Sequence, residues 1–252
     1  MIKFTFLGTA AAGGTPLFGC NCTACDIARK VKHYTRRPAS AFFESDNTKI
    51  LIDAGLMDIH ERFDPQILKY IVITHFHPDH IQGLFHLRWG KNTCIEVFCP
   101  PDRDGLLDLY KNSKILKFHF TTPFKEIKLQ DVTITPLPLF HSKLTYGYYF
   151  ESKNNEKVAY LVDCKGIPED TKRFLKSKNK LYLVIDTTYP PVEEDDNHNN
   201  LDEAIKIIDS IAPEKTFLTH ISHSFDDWLL KNRVTFPDEI FIAYDNYKFC
   251  IE

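Results

Sequence analysis

Residues 70–80 read "YIVITHFHPDH", a short apolar run that stops on three histidines and an aspartate. Five residues rich in β-branched side chains make a buried strand, and in extended backbone residues two apart point the same way. His75 and His77 therefore face one side, while Asp79 and His80 come round as the chain turns into "IQGLFHLRW". The first pair is placed to address one metal ion and the second pair another. A polar strand-to-helix turn with incidental histidines is the plainer alternative, but H-x-H-x-D-H directly behind an apolar strand points to metal.

The same habit recurs along the chain. "ILIDAG" stops on Asp53, "PLPLFH" on His141, "AYLVD" on Asp163, "YLVID" on Asp186 and "TFLTH" on His220. An apolar strand that ends on a ligand-type residue delivers that side chain to the sheet edge, where loops can gather it with others. Two ions need more donors than the central motif holds, including an oxygen able to bridge them. We assign His75, His77 and His141 to one ion, Asp79, His80 and His220 to the other, and Asp163 to both. Asp53 and Asp186 fit either of two roles, orienting the histidines through ring N–H groups or capping strand ends. Such a pair activates water and neutralises charge on substrate oxygens, which is hydrolytic chemistry. Imidazole and carboxylate donors suit zinc, manganese or iron, and zinc and manganese are taken as equal candidates.

Composition sets the bounds. The chain has 252 residues, 43% of them hydrophobic with 20 Phe and 11 Tyr, and a net charge of -3. Lysines and acids are interspersed, so neither a stable nucleic-acid partner nor a membrane partner is expected, and a small-molecule substrate is. The opening "MIKFTFLG" reads as a first strand and not as a signal peptide, and no apolar stretch is long enough to span a bilayer, so a cytoplasmic location is expected. Strand-type runs follow one another: "IKFTFLG", "TKILIDAG", "YIVITH", "IEVFCP", "KFHFT", "VTITPLPL", "YGYYFES", "KVAYLVD", "LYLVIDTT", "KTFLTH" and "IFIAY", with "YKFCIE" a possible last one. Helical spacing is clearest in "LDEAIKIIDSIA", with Leu201, Ile205, Ile208 and Ile211 or Ala212 on one face, and is present in "GLLDLYKN", "EDTKRFLKS" and "SFDDWLLKN". Without a repeat or linker, this pattern predicts one α/β domain over 1–252, with two packed sheets and helices outside.

Seven cysteines, an odd number, argue against a disulfide framework, and Cys94, Cys99, Cys164 and Cys250 sit in or beside apolar runs, as reduced buried thiols do. "GCNCTAC" is different, with Cys20, Cys22 and Cys25 in six positions. Three thiolates make a soft-metal set that needs a fourth ligand for tetrahedral zinc. In "LTHISHS" His220 is taken by the first centre, and His223 is free to close a structural Cys3His site.

Together "FLGTAAAGG", "ILIDAG", "THFHPDH", "LFH", "LVD" and "LTHISH" resemble the metallo-β-lactamase superfamily over nearly the whole length. That resemblance implies an αβ/βα four-layer sandwich, two mixed sheets with helices on the outer faces, and a binuclear site along one edge. With the cysteine segment, "RRPAS", "PLPLFHSKLTYGY" and "HNNLDEA", the chain is similar to the PhnP-type cyclic phosphodiesterases of the carbon-phosphorus lyase pathway. This implies two catalytic divalent ions, a structural zinc on Cys20, Cys22, Cys25 and His223, and hydrolysis of 5-phosphoribosyl 1,2-cyclic phosphate to ribose 1,5-bisphosphate in phosphonate metabolism. It also implies catalytic parts for Asp79 and for His198, which would protonate the leaving oxygen or stabilise the phosphate; by itself His198 reads as an exposed histidine in an acidic loop. Ser142, Lys143 and Arg88 are candidates for substrate contact, with surface or structural roles equally open. Ala10 and Cys164 depart from that group's usual glycine and hydroxyl residue without touching a ligand. Relatives suggest a homodimer. The alternatives are an RNA-processing nuclease of tRNase Z type, for which no basic arm is present, and a PqqB-like cofactor-biosynthesis protein.

Overall fold

Strands whose every residue is buried must be covered on both faces, and the layering follows from that. A computed structural model describes residues 1–102 and 107–251. The first half runs β1 (Ile2–Gly8), α1 (Thr23–Lys30), β2 (Ser40–Glu44), β3 (Lys49–Ile52), α2 (Ile59–Arg62), β4 (Tyr70–Val72), α3 (Pro78–Leu87), β5 (Ile95–Cys99), α4 (Leu107–Lys111) and β6 (Leu116–Phe120). The second half runs β7 (Ile127–Lys128), β8 (Val132–Leu139), β9 (Thr145–Ser152), β10 (Lys157–Leu161), α5 (Glu169–Lys176), β11 (Leu181–Asp186), α6 (Leu201–Ile211), β12 (Lys215–Thr219), α7 (His223–Asn232), β13 (Ile240–Ile242) and β14 (Lys248–Ile251).

Among the described residues these strands form two seven-stranded sheets, ordered β14-β1-β2-β3-β4-β5-β6 and β13-β12-β11-β10-β9-β8-β7. Both are mixed: β3 to β6 and β10 to β13 run parallel, and the remaining neighbours pair antiparallel. Between the sheets lies an aromatic-rich core that includes Phe4, Phe6, Phe43, Tyr148, Phe150, Tyr160 and Phe217. Within it Phe217 and Phe249 stack with centroids 4.1 Å apart, and each such ring contributes roughly 1.5–3 kcal/mol by burial alone. Outside one sheet, Ile59, Ile81, Leu84 and Leu109 from α2 to α4 cover Leu51, Ile71 and Val97. Outside the other, Leu175, Ile207, Ile208, Ile211 and Phe225 from α5 to α7 cover Leu161, Leu183 and Leu218. The four-layer α/β sandwich expected from the sequence is the fold observed.

Two contacts lock the sheets together where the histidine motif begins. Tyr146 on β9 donates its backbone N–H to the Thr74 carbonyl at 2.9 Å. The buried Tyr148 hydroxyl donates to the Ile73 carbonyl at 2.8 Å.

The structure corrects several sequence expectations. Helix α1 was not anticipated, and within the cysteine segment Cys22 takes its N-cap position and Cys25 lies inside it. Strands β2 and β7 were not anticipated: "SAFFE" shows no alternation because four of its five residues are buried, and β7 has two residues. Helix α6 buries Ala204 and Ile207 beside Leu201, Ile208 and Ile211, with Ile205 only half-buried, so its inward face is rotated from the one expected. Cys94 and Cys250 are exposed, Cys250 because β14 alternates at the sheet edge, whereas Cys99 and Cys164 are buried; all seven are free thiols. Of the helix expected at "GLLDLYKN", α4 is observed, and Gly105 and Leu106 lie outside the described residues.

Candidate metal centre

Every strand-end residue singled out in the sequence arrives at one edge of the sandwich. Asp53 follows β3, His75 is the third residue after β4, His141 follows β8, Asp163 follows β10, Asp186 closes β11 and His220 follows β12. Asp53, Asp163 and His220 adopt left-handed backbone conformation, with φ of 57°, 58° and 61°. That conformation is uncommon outside glycine, and here it turns each chain sharply as it leaves the sheet. Helix α3 supplies the rest, with Pro78 at its start and Asp79 in its first turn, where an acid favours the helix dipole. Its approach is close. A Cβ on Gly83 would stand 2.3 Å from the Leu56 carbonyl oxygen, and one on Gly55 would stand 1.6 Å from that of Asp79.

The donor atoms form two sets. His75, His77 and His141 make one, and Asp79, His80, Asp163 and His220 the other, the candidate atoms of each lying within 4.8 Å of one another; Asp163 and His220 also form an overlapping group with Asp186 and His198. In the first, His77 Nδ1 is 2.8 Å from His75 Nε2 and 3.1 Å from His141 Nε2. In the second, Asp163 Oδ2 is 2.5 Å from His80 Nε2 and Asp163 Oδ1 is 3.0 Å from His220 Nε2. Asp163 Oδ2 also stands 3.4 Å from His75 Nε2, so this one carboxylate touches both sets.

These residues fit a pair of cations. His80 Nε2, Asp163 Oδ2 and His220 Nε2 are buried and, among the described residues, make no hydrogen bond, a costly arrangement that a shared cation relieves. Burial holds His75 well below the ordinary imidazole range, and burial also lowers His77 and His141, so all three favour the neutral form that binds metal. Burial opposes charge on Asp163 too, but His220, His80 and His75 around it keep its carboxyl well below the usual range.

The rings are held from behind. His80 Nδ1 donates to Asp53 Oδ2 at 2.8 Å, and His141 Nδ1 to the Asn197 carbonyl at 3.2 Å. His198 lies beside the cluster, its ring stacked on His220 at 4.8 Å and 5.3 Å from that of His141. Its Nδ1 donates to Asp186 Oδ2 at 2.9 Å, and its backbone N–H to Asp195. Burial lowers its pKa, but the Asp186 hydrogen bond and the charges of Asp186 and Asp163 outweigh this and lift it to about 9. Asp53 and Asp186 meet both readings open for them, since each contacts a histidine ring nitrogen and each also accepts backbone N–H groups at the strand ends.

A second cluster forms from Cys20, Cys22, Cys25 and His223. His223 Nδ1 is 3.5 Å from Cys20 Sγ and 3.6 Å from Cys22 Sγ. The segment leading into α1 and the first residue of α7 thus meet, and Ala24 of α1 also donates to Asp227 of α7 at 3.3 Å. Hydrogen bonding from the Cys22 backbone lowers the Cys20 thiol, whereas burial pushes Cys25 up to about 12. A bound cation reverses the latter and makes the thiolate the stable form.

Other candidates separate. Ser142 and Lys143 follow His141 in the turn before β9, Ser142 exposed and Lys143 half-buried. Arg88 is not brought to the site. It ends α3, a helix of ten residues and about 15 Å, at the end opposite His77–His80. There its guanidinium pairs with Asp108 at 2.7 Å and lies over Phe85 and Trp89, so charge and stacking are already satisfied. His33, His60, His86 and His119 take ring or acid neighbours elsewhere. Sequence reading passed over Thr74, Thr188 and Asn197, whose roles depend on where a hydroxyl or carbonyl points; Thr74 directly precedes the motif and could have been flagged.

Comparison with known proteins gives the following. A profile described as beta-lactamase superfamily domain matches residues 48–221. A protein named octanoyltransferase from Porphyromonas gingivalis is 26% identical over 244 residues, covering 88% of this chain and 46% of that protein. Coenzyme PQQ synthesis protein B of Methylobacterium radiotolerans is 29% identical over 104 residues, 36% of this chain and 35% of that protein. The chain thus spans half or less of these curated relatives. Among solved structures, a diphosphatase of the PhnP family superposes with a TM-score of 0.83 at 26% identity, over 100% of this chain and 98% of that one. Zinc-bound PqqB from Methylobacterium extorquens gives 0.74 at 17%, over 99% of this chain and 100% of that one. The short form of human tRNase Z gives 0.74 at 19%, over 99% of each chain. The last two likenesses show the fold alone.

Proposed function

The chain belongs to the beta-lactamase superfamily, and on that premise we propose that it is a binuclear-metal phosphodiesterase acting on a small cyclic phosphate, with 5-phosphoribosyl 1,2-cyclic phosphate, opened to ribose 1,5-bisphosphate, as the leading substrate. The carrying observation is the contact of Asp163 with both donor sets, at 2.5 Å to His80, 3.0 Å to His220 and 3.4 Å to His75. His75, His77 and His141 would hold one ion, Asp79, His80 and His220 the other, with Asp163 shared, and a further zinc would sit on Cys20, Cys22, Cys25 and His223. When bound, two such ions supply an activated water and neutralise charge on phosphate oxygens. Zinc and manganese both suit the donors.

The protein's own groups do the rest. His198 spends its Nδ1 proton on Asp186, which leaves Nε2 as the ring's other polar atom beside the two sets. In its protonated form that atom donates to a departing ester oxygen. Asp79, at the start of α3, is the least enclosed of the second set and would be the member of it most open to substrate. Lys143 offers a cation next to His141 for a further phosphate. The acidic run Glu193–Asp196 shares a loop with His198 and opposes a long polyanion, which supports a small substrate over RNA.

A second reading, hydrolysis of a diphosphate, is supported by the full-length 26% identity to the PhnP-family diphosphatase. Purified protein assayed for metal content and offered ribose cyclic phosphates, 2′,3′-cyclic nucleotides, an aryl phosphodiester, diphosphate esters and RNA separates these. Turnover of the cyclic ribose ester above the others is expected. Turnover of diphosphates alone would transfer the assignment to the second reading, and RNA alone would select the nuclease.

A further inference from the structure

Two histidines of the centre rest their outer ring nitrogen on a threonine hydroxyl, and both hydroxyls already serve a buried carboxylate. Thr74 Oγ1 is 2.9 Å from Asp53 Oδ2 and 3.0 Å from His75 Nδ1. Thr188 Oγ1 is 2.8 Å from Asp186 Oδ1 and 2.8 Å from His220 Nδ1. None of these six residues exceeds 1% exposure, so water does not compete.

The proton count fixes the direction of each chain of contacts. Asp53 receives the Thr74 N–H, the Thr74 hydroxyl and the His80 Nδ1–H. Asp186 receives the Thr188 N–H, the Thr188 hydroxyl, the Cys164 N–H and the His198 Nδ1–H. Each carboxylate thus already takes several donors, backbone N–H groups among them, and its oxygens serve these as acceptors. The single hydroxyl proton of each threonine is therefore committed to its aspartate, and the oxygen is left to accept from the histidine. Nδ1 must carry the ring proton, and Nε2 must present its lone pair. Those are the atoms that face Asp163 at 3.4 and 3.0 Å.

Different chain routes reach the same arrangement. Thr74 sits immediately before its histidine, whereas Thr188 lies two residues after its aspartate and 32 residues from His220. A by-product of one local turn would not recur through unrelated connectivity.

We propose that Thr74 and Thr188 are positioning residues that lock His75 and His220 in the tautomer whose Nε2 accepts a cation. Each buried aspartate then governs two histidines, one directly and one through a hydroxyl: Asp53 governs His80 and His75, and Asp186 governs His198 and His220. The inference rests on the metal-centre reading above.

Thr74→Val and Thr188→Val remove the hydroxyl at nearly constant shape, and Thr74→Ser and Thr188→Ser restore it. Zn2+ affinity is read by chelator competition, and ring tautomers by imidazole 15N shifts in protein stripped of the histidine-bound ions. Each valine variant is expected to bind Zn2+ about 10–100-fold more weakly at the histidine sites, with the serine variants close to wild type and the cysteine-site zinc unchanged. Valine variants that bind as tightly as wild type would overturn the inference while leaving the metal centre standing. A wild type that takes no Zn2+ beyond the cysteine site would remove both. Should a valine variant fail to fold, the wild-type tautomers decide: Nδ1–H on both rings is expected, and Nε2–H on either overturns the proposal.

Discussion

Asp163 concentrates the demands of the centre in one residue, since it is buried, surrounded by three histidines and held at a φ of 58°. Asparagine tolerates the left-handed region nearly as well as aspartate and occupies the same volume. Asp163→Asn is therefore expected to fold but to lose most metal from the histidine sites, because the shared anion is gone; elemental analysis of purified protein checks this, and full metal content would contradict the bridging role. His198 should behave in the opposite way. Although its ring lies within reach of Asp163 and His220, its Nδ1 is taken by Asp186, so His198→Ala should keep metal content while lowering kcat by about 10²–10⁴-fold, the span of a positioned acid. Loss of metal together with activity would instead make it a ligand. Residue types were the part of the site most legible in the chain, because ligand side chains are rare at the ends of apolar strands. Hydroxyl and carbonyl partners were not, since threonine at a strand end looks the same whether it serves a histidine or solvent.

At the level of elements, the centre depends on how tightly α3 lies against the segment after β3. Gly83 donates to the Ala54 carbonyl at 2.8 Å, and a methyl group there would meet backbone on two sides. Gly83→Ala should cost about 1–3 kcal/mol despite alanine's better helix propensity, lowering the melting temperature by several degrees, as measured by calorimetry. An unchanged melting temperature would show that α3 shifts freely. The α1 to α7 clip offers a second test. His223→Ala should release one zinc, reduce thermal stability and leave the histidine sites able to bind; unchanged stoichiometry would remove the structural-site assignment. Amphipathic helices α5 to α7 were readable from spacing, and α1 was not. Two cysteines precede its eight residues and a third lies within them, which draws the eye to coordination, while only Ala24, Cys25 and Ala28 are buried.

For the whole molecule, the sandwich was legible because its strands are apolar throughout and end in marked residues, which fixes direction as well as existence. Pairing order was not legible, since β14 returning to β1 is a contact between the two ends of the chain that no local pattern announces. The junction of the sheets also escapes sequence reading. Tyr148→Phe keeps the ring and deletes only the hydroxyl that meets the Ile73 carbonyl, so a loss of about 1–3 kcal/mol in denaturant unfolding is expected, with m unchanged. His220 and His223 belong to different clusters yet are separated only by Ile221 and Ser222, whose backbones are pinned to Thr9, Ala11 and Thr188. These four residues therefore place the two clusters on one anchored stretch of backbone. Thermodynamic reciprocity then requires any effect of thiolate-pocket occupancy on the histidine pocket to equal the effect in the reverse direction. Two residues of backbone are thus all that lies between the thiolate pocket and the histidine pocket.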